Sequence, residues 1–231
     1  MSEERRGDGF SGFLRGLMIV LFSISFAVVF VLYMKPLYYI DITVMGLEKA
    51  SGKDAATIRR NYDTVISYMY LWNRGPLNFP DFAMSQHGRI HFADCKKIFD
   101  AVQVICAVSG LWTLTAGIRH RHSSRYKYLR NAGIIAILIP AVLIVLATLD
   151  WQKFFITFHS IFFRNNYWLF DPAADPVILI LPDEFFLQCV VIIVVIVLTG
   201  GIICRRRAAE KKRRWRESRN QGRSRSSRYR D

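Results

Sequence analysis

Val190-Val191-Ile192-Ile193-Val194-Val195-Ile196-Val197-Leu198 is the middle of an apolar run that extends over 185–204. Successive aliphatic side chains with no polar residue between them exclude the alternation expected of a membrane β-barrel strand. The length of the run matches the roughly 20 apolar residues that a helix needs to cross a bilayer at about 1.5 Å per residue. Three further runs of this kind lie near 14–34, 98–118 and 132–149. The sequence therefore predicts an all-α membrane protein with four transmembrane helices.

The basic residues set the expected orientation, because Lys and Arg flanking short loops stay on the cytoplasmic side. Arg119, Arg121, Arg125, Lys127 and Arg130 stand between the second and third runs, and Arg205, Arg206, Arg207, Lys211, Lys212, Arg213 and Arg214 follow the fourth. Both segments belong inside, which places both termini in the cytoplasm and the loops 35–97 and 150–184 outside. Residues 1–204 form one membrane domain, and 205–231 reads as a basic, disordered cytoplasmic tail. The formal charge of +14 is mostly this asymmetry. It points to a topology anchor that also touches anionic lipid headgroups, and not to a nucleic-acid partner. The first apolar run exceeds the about 7–15 residues of a signal-peptide core and lacks a small-x-small cleavage site, so it is expected to remain as a signal anchor.

The first outside loop is too long to be structureless in a compact domain. Ser51 is a candidate cap for a helix from about 54 to 71, in which Ile58, Tyr62, Val65, Ile66 and Met69 recur at spacings of three and four and form one apolar face. Arg59, Arg60 and Asp63 lie opposite, and Trp72-Asn73-Arg74-Gly75-Pro76 supplies turn chemistry at the end. Such a helix either packs on the bundle or lies in the headgroup layer. The second outside loop is dense in aromatic residues, among them Trp151, Phe154, Phe155, Phe158, Phe162, Phe163, Tyr167, Trp168 and Phe170. An interfacial aromatic belt accounts for them. A channel for acyl chains would use the same residue types, and composition does not separate the two. Pro140 in the third run is expected to kink its helix.

The topology sorts the five histidines. His120 and His122 sit among inside arginines and read as solvated loop residues. His87, His91 and His159 lie outside, His91 in the segment Ser85–Phe99 read as a loop before the second span. Imidazole is the side chain best matched to proton transfer near neutral pH. Asp94 and Asp171 are at hand to orient a ring, while the bland alternative is a histidine bonded to a headgroup or carbonyl. The His87/His91 spacing, with Asp94 or His159, would also suit a zinc site, but Gly88 occupies the glutamate position of the His-Glu-x-x-His hydrolase motif. No cofactor or metal is expected. The four cysteines offer no disulfide framework, since Cys106, Cys189 and Cys204 fall in or at the end of spans and leave Cys95 alone outside. No nucleophile elbow, phosphate-binding loop or dinucleotide fingerprint is present. The competing readings are a non-enzymatic membrane scaffold or binding protein, a metal-dependent membrane hydrolase and, with few buried charges or paired broken helices in its support, a transporter.

A set of motifs resembles a known family, the small four-span bacterial membrane proteins that include the lipoprotein intramolecular transacylase. The resemblance is carried by Asn61-Tyr62-Asp63 with Tyr68, Leu77-x-Phe79-Pro80-x-Phe82, and Ser85-x-x-Gly88-x-x-His91-Phe92-x-Asp94-x-Lys96-x-x-Phe99. It continues through Phe158-His159-x-x-Phe162-Phe163-x-Asn165-x-x-Trp168-x-Phe170-Asp171-Pro172, Asp175-Pro176 and Leu181-Pro182-x-x-Phe185-Phe186, and covers the chain to about Cys204. Cys95 stands where the pattern has a small aliphatic residue such as Val, which marks its thiol as incidental. The basic tail lies outside the pattern.

The resemblance implies an acyltransferase at the outer face of the bacterial cytoplasmic membrane. It would move one ester-linked chain of a diacylglyceryl-modified lipoprotein to the α-amine of the N-terminal cysteine, giving a lyso-form lipoprotein. His91 is then expected as general base and His159 as its partner at the oxyanion or leaving oxygen, with the roles open to exchange. Asp94 and Asp171 would orient the rings, and Asn165, Trp168, Ser85 and Tyr62 would shape the pocket. The expected partners are lipoproteins and membrane lipids.

Overall fold

Every regular element is helical in the computed structural model, which describes residues 2–119 and 126–228, with side chains described for 10–119 and 126–221. In chain order the elements are α1 (Ser2–Tyr33), α2 (Lys35–Val44), α3 (Leu47–Ser51), α4 (Ala55–Tyr68), α5 (Gln86–Arg119), α6 (Lys127–Leu149) and α7 (Trp151–Phe162). A 3₁₀ turn at Pro176–Ile180 and the long α8 (Asp183–Arg228) complete the chain. Helices α1, α5, α6 and α8 are long and apolar enough to cross a membrane. His120 and His122 lie outside the described residues.

The chain divides into two compact units, one built from 1–24, 106–142 and 195–231, the other from 25–105 and 143–194. In the first unit, α6 and α8 meet through small residues. A Cβ on Gly133 would stand 2.7 Å from the Gly201 carbonyl, and one on Gly201 would stand 3.3 Å from Ala136 Cβ. Close backbone approach of this kind is how helices pack where lipid removes the hydrophobic drive between them.

The second unit holds a core of Tyr38, Ile42, Leu47, Ile58, Tyr62, Val65, Ile66, Leu77, Val177, Ile180 and Phe185. The expected apolar face of α4 forms one wall of it: Ile58, Tyr62, Val65, Ile66 and Met69 are all buried. The Tyr62 ring stacks on Tyr38 at 3.6 Å, and the Tyr38 hydroxyl donates to the Ile180 carbonyl at 2.6 Å. This ties α2 and α4 to the 3₁₀ turn.

Four local expectations are revised. The cap of α4 is Asp54, whose carboxylate accepts from the Thr57 N–H at 2.7 Å, while Ser51 ends α3 and donates back to the Leu47 carbonyl. Helix α4 stops at Tyr68, before Leu71. The segment read as a loop before the second span is the first three turns of α5, which begins at Gln86 and not near residue 98. Its start is capped inside the second unit. Ser85 accepts from the Gly88 N–H (3.0 Å) and donates from both its backbone N–H and hydroxyl to Asp175 (2.7 Å each). A Cβ at position 88 would collide with that carboxylate, so only glycine fits. The basic segment after Cys204 continues α8 as far as Arg228 instead of being disordered. A span already helical removes the nucleation cost, and Arg, Lys, Ala and Glu then propagate the helix. Helix α6 runs on through Pro140.

Candidate active site

The expected site residues all fall in the second unit: Tyr62 on α4, Ser85 just before α5, the others on the early turns of α5, on α7 and on the segment that follows it. The Ser85–Asp175 cap fixes the start of α5, and His91 follows about one and a half turns later. Its ring is 7% exposed. On α7, capped by Asp150 through the Lys153 N–H at 2.9 Å, His159 lies in the last turn. The two imidazole centroids stand 6.1 Å apart.

Aromatic rings close around the pair. Phe163 meets both imidazoles, at 4.8 Å from His91 and 5.6 Å from His159. Phe170 packs edge-on to His91 at 5.4 Å, while Trp168 stacks on His159 at 4.6 Å and Phe155 lies 4.2 Å from it. Most of these rings were expected either in an interfacial belt or along an acyl-chain channel. Those at 155, 163, 168 and 170 instead form the wall of a histidine cage.

The two rings are held differently. His159 Nδ1 is 2.8 Å from the Phe155 carbonyl oxygen. A carbonyl only accepts, so Nδ1 carries the proton and, in the neutral ring, Nε2 carries the free lone pair. Burial pushes the His159 pKa below the usual 6.5, against the opposing pull of the carbonyl. The neutral form, with its lone pair on Nε2, therefore prevails at physiological pH. On His91, Nε2 lies 3.4 Å from Cys95 Sγ one turn along α5, and Nδ1 is buried with no partner among the described residues.

Of the expected pocket residues, His91, His159 and Trp168 come together directly. Asp94 and Asn165 join each other beside them (3.5 Å), with Asp94 also paired to Lys97 at 2.9 Å. Neither carboxylate was found in the orienting role expected of it. Asp171 is exposed and accepts from the Ala173 N–H, and the Phe155 carbonyl holds His159 in its place. Ser85 is a helix cap and Tyr62 a core residue stacked on Tyr38. Both were drawn to the pocket by motif membership, which does not separate packing from chemistry. His87 stacks on Tyr167 at 4.2 Å, and among the described residues no three His, Cys, Asp or Glu side chains group to hold a metal ion. A cavity of about 790 Å³ runs along α4, lined by Arg59, Arg60, Asp63 and Asn73 among others, and includes neither histidine.

Sequence reasoning did not foresee the contacts of Asp175 with Ser85 or of Cys95 with His91. Asp175 gave no local signal, since its partner is 90 residues away. Cys95 did, standing four residues after His91 on a helix where such positions touch.

A multi-pass helical protein with a buried and a half-buried imidazole side by side among aromatic rings defines a membrane protein with a paired-histidine site. The model of the family described as lipoprotein intramolecular transacylase Lit matches residues 13–186, and the chain belongs to that family. An in meso structure of the membrane integral lipoprotein intramolecular transacylase Lit from Bacillus cereus is similar over 89% of this chain and 99% of its own, with 34% identity and a TM-score of 0.81. Two structures of the same protein carrying a histidine-to-arginine or a histidine-to-alanine mutation align with TM-scores of 0.78 and 0.77. Their identities are 32% and 31%, and they cover 94% and 93% of this chain and 99% of their own. No curated protein matches the chain. The protein is thus a multi-pass membrane protein of a transacylase family.

Proposed function

We propose that the chain transfers an acyl group within a lipoprotein whose N-terminal cysteine carries a diacylglyceryl thioether and a free α-amine. The sn-2 ester chain moves to the amine, leaving an N-acyl, S-monoacylglyceryl cysteine. The observation that carries this reading is the pair of enclosed imidazoles 6.1 Å apart on a chain of the transacylase family. Rings this close lie within reach of a single substrate headgroup.

Donor ester and acceptor amine belong to one molecule. Folding its headgroup into a near-attack geometry supplies a proximity effect worth up to about 7–11 kcal/mol in well-oriented systems. The amine nitrogen attacks the ester carbonyl and forms the new C–N bond. His159 Nε2 takes the proton released by the amine, the geometry favouring His159 as base in exchange for the role expected of His91. His91 donates a hydrogen bond to the tetrahedral oxyanion. The C–O bond to glycerol then breaks, and the His159 imidazolium returns the proton to the departing oxygen, so no net proton is consumed. Rings at 155, 163, 168 and 170 exclude the water that would hydrolyse the ester. The basic segments, read by the positive-inside rule, support a site on the extracytoplasmic face of the bacterial cytoplasmic membrane.

The test is mass spectrometry of the N-terminal lipopeptide of a reporter lipoprotein, in a host whose lipoproteins keep a free α-amine. The expected product is one amide-linked chain with one chain left on glycerol. His159→Ala is expected to lower the rate about 10²–10⁴-fold and His91→Ala about 10²–10³-fold, with folding retained. Unchanged diacylglyceryl peptide despite expression of the intact protein rejects the reading.

A further inference from the structure

Two observations on α5 remain outside this reaction scheme. The Cys95 thiol sits 3.4 Å from His91 Nε2, and His91 Nδ1 is buried with no partner among the described residues, on a ring only 7% exposed. A buried polar atom without a partner costs about 1–3 kcal/mol, and such atoms are rare enough to call for a ligand or a role. The neutral ring carries its proton on one nitrogen only. With the proton on Nε2, the N–H would face sulfur, a weak acceptor, and Nδ1 would be a buried lone pair. With the proton on Nδ1, the thiol S–H meets a strong imidazole acceptor at Nε2, and the unpartnered nitrogen becomes a donor held ready inside the aromatic cage.

We propose that Cys95 is a positioning residue that fixes the tautomer of His91: the thiol donates to Nε2, the ring proton stays on Nδ1, and His91 presents Nδ1–H to the oxyanion. The thiol neither attacks the ester nor gives up its proton. This role rests on the acyl transfer proposed above, and it gives the two imidazoles opposite faces. His159 offers a bare Nε2 because the Phe155 carbonyl holds its Nδ1–H, and His91 offers Nδ1–H because Cys95 occupies its Nε2. A base and a donor made from the same side chain are distinguished only by what each ring's second nitrogen touches. The thiol expected to be incidental thereby becomes the group that separates the two roles.

The experiment uses the full chain, purified in detergent with ¹⁵N-labelled histidine, as wild type, Cys95→Val and Cys95→Ser. The His91 signals are assigned by their loss in His91→Gln. In the wild type, His91 is expected to show a protonated Nδ1 and a bare Nε2. In Cys95→Val the Nε2–H form is expected to gain population, with kcat for amide formation falling about fivefold, the equivalent of one neutral hydrogen bond, and KM unchanged. Cys95→Ser, which keeps a donor, is expected to restore both the spectrum and the rate. A wild-type His91 protonated on Nε2 overturns the proposal even if the variants fail to fold, as does a spectrum that Cys95→Val leaves unchanged. The nitrogen spectrum needs no substrate, so it is decided separately from the lipopeptide assay on which the acyl transfer itself depends.

Discussion

At the scale of single residues, the site works by giving two identical side chains different surroundings. Burial lowers the His159 pKa from 6.5, so the ring remains neutral to a lower pH than a free imidazole. The acid limb of the pH–rate profile for amide formation is therefore expected below pH 6.5. Trp168→Ala, which uncovers the ring stacked on it at 4.6 Å, should move that limb back up toward 6.5. The same shift enters stability with a definite sign. The unfolded chain binds more protons than the folded one below 6.5, so the contribution of a neutral His159 is present above that pH and is lost as pH falls through it. Thermal unfolding of wild type and His159→Gln between pH 7 and pH 5 measures it, with wild type losing more. Sequence alone singled out the histidines that the fold brings side by side. It left their roles open, because the groups that decide them, the Phe155 carbonyl and the stacked Trp168, belong to the folded arrangement.

At the scale of elements, helix periodicity served well where burial decides the pattern and poorly where a distant partner does. The face of α4 was legible because Ile58, Tyr62, Val65, Ile66 and Met69 repeat at the helical spacing and all lie in the core. Its cap was misplaced because Ser51 and Asp54 are both good caps and only the second accepts from an N–H of α4, Ser51 accepting instead from the Lys53 N–H. The start of α5 was read as a loop because its first turns are polar and contain a glycine. Their partner, Asp175, lies on another segment. Asp175→Ala is expected to destabilise the fold by about 1–3 kcal/mol, through an orphaned Ser85. Gly88→Ala should cost about 1–3 kcal/mol by steric overlap. Because the added methyl collides with the very carboxylate that Asp175→Ala removes, the double variant is expected to be more stable than the sum of the two predicts. Chemical denaturation of the four proteins in one detergent gives this coupling, and strict additivity would show that the carboxylate does not fill the space over Gly88.

At the scale of the whole molecule, the four spans were legible from hydropathy and their count agrees with the four helices long and apolar enough to cross a membrane. The helix beyond Cys204 was not, because a basic composition gives the same signal in a solvated coil and in the extension of a helix nucleated within the membrane. Truncation after Glu210 is expected to leave the lipopeptide product unchanged, since none of the residues around the two histidines lies beyond it. The proposed orientation is checked by labelling single added cysteines in intact cells: Ala173→Cys should react with an impermeant maleimide and Ser218→Cys only after permeabilisation. The Ser85–Asp175 bond has a consequence in time as well as in space. During synthesis Asp175 is made 90 residues after Ser85, so the first turns of α5 exist before the carboxylate that caps them. The histidine they carry is therefore fixed only once Asp175 has joined them, and a chain that stops short of residue 175 lacks the bond that sets its reactive centre.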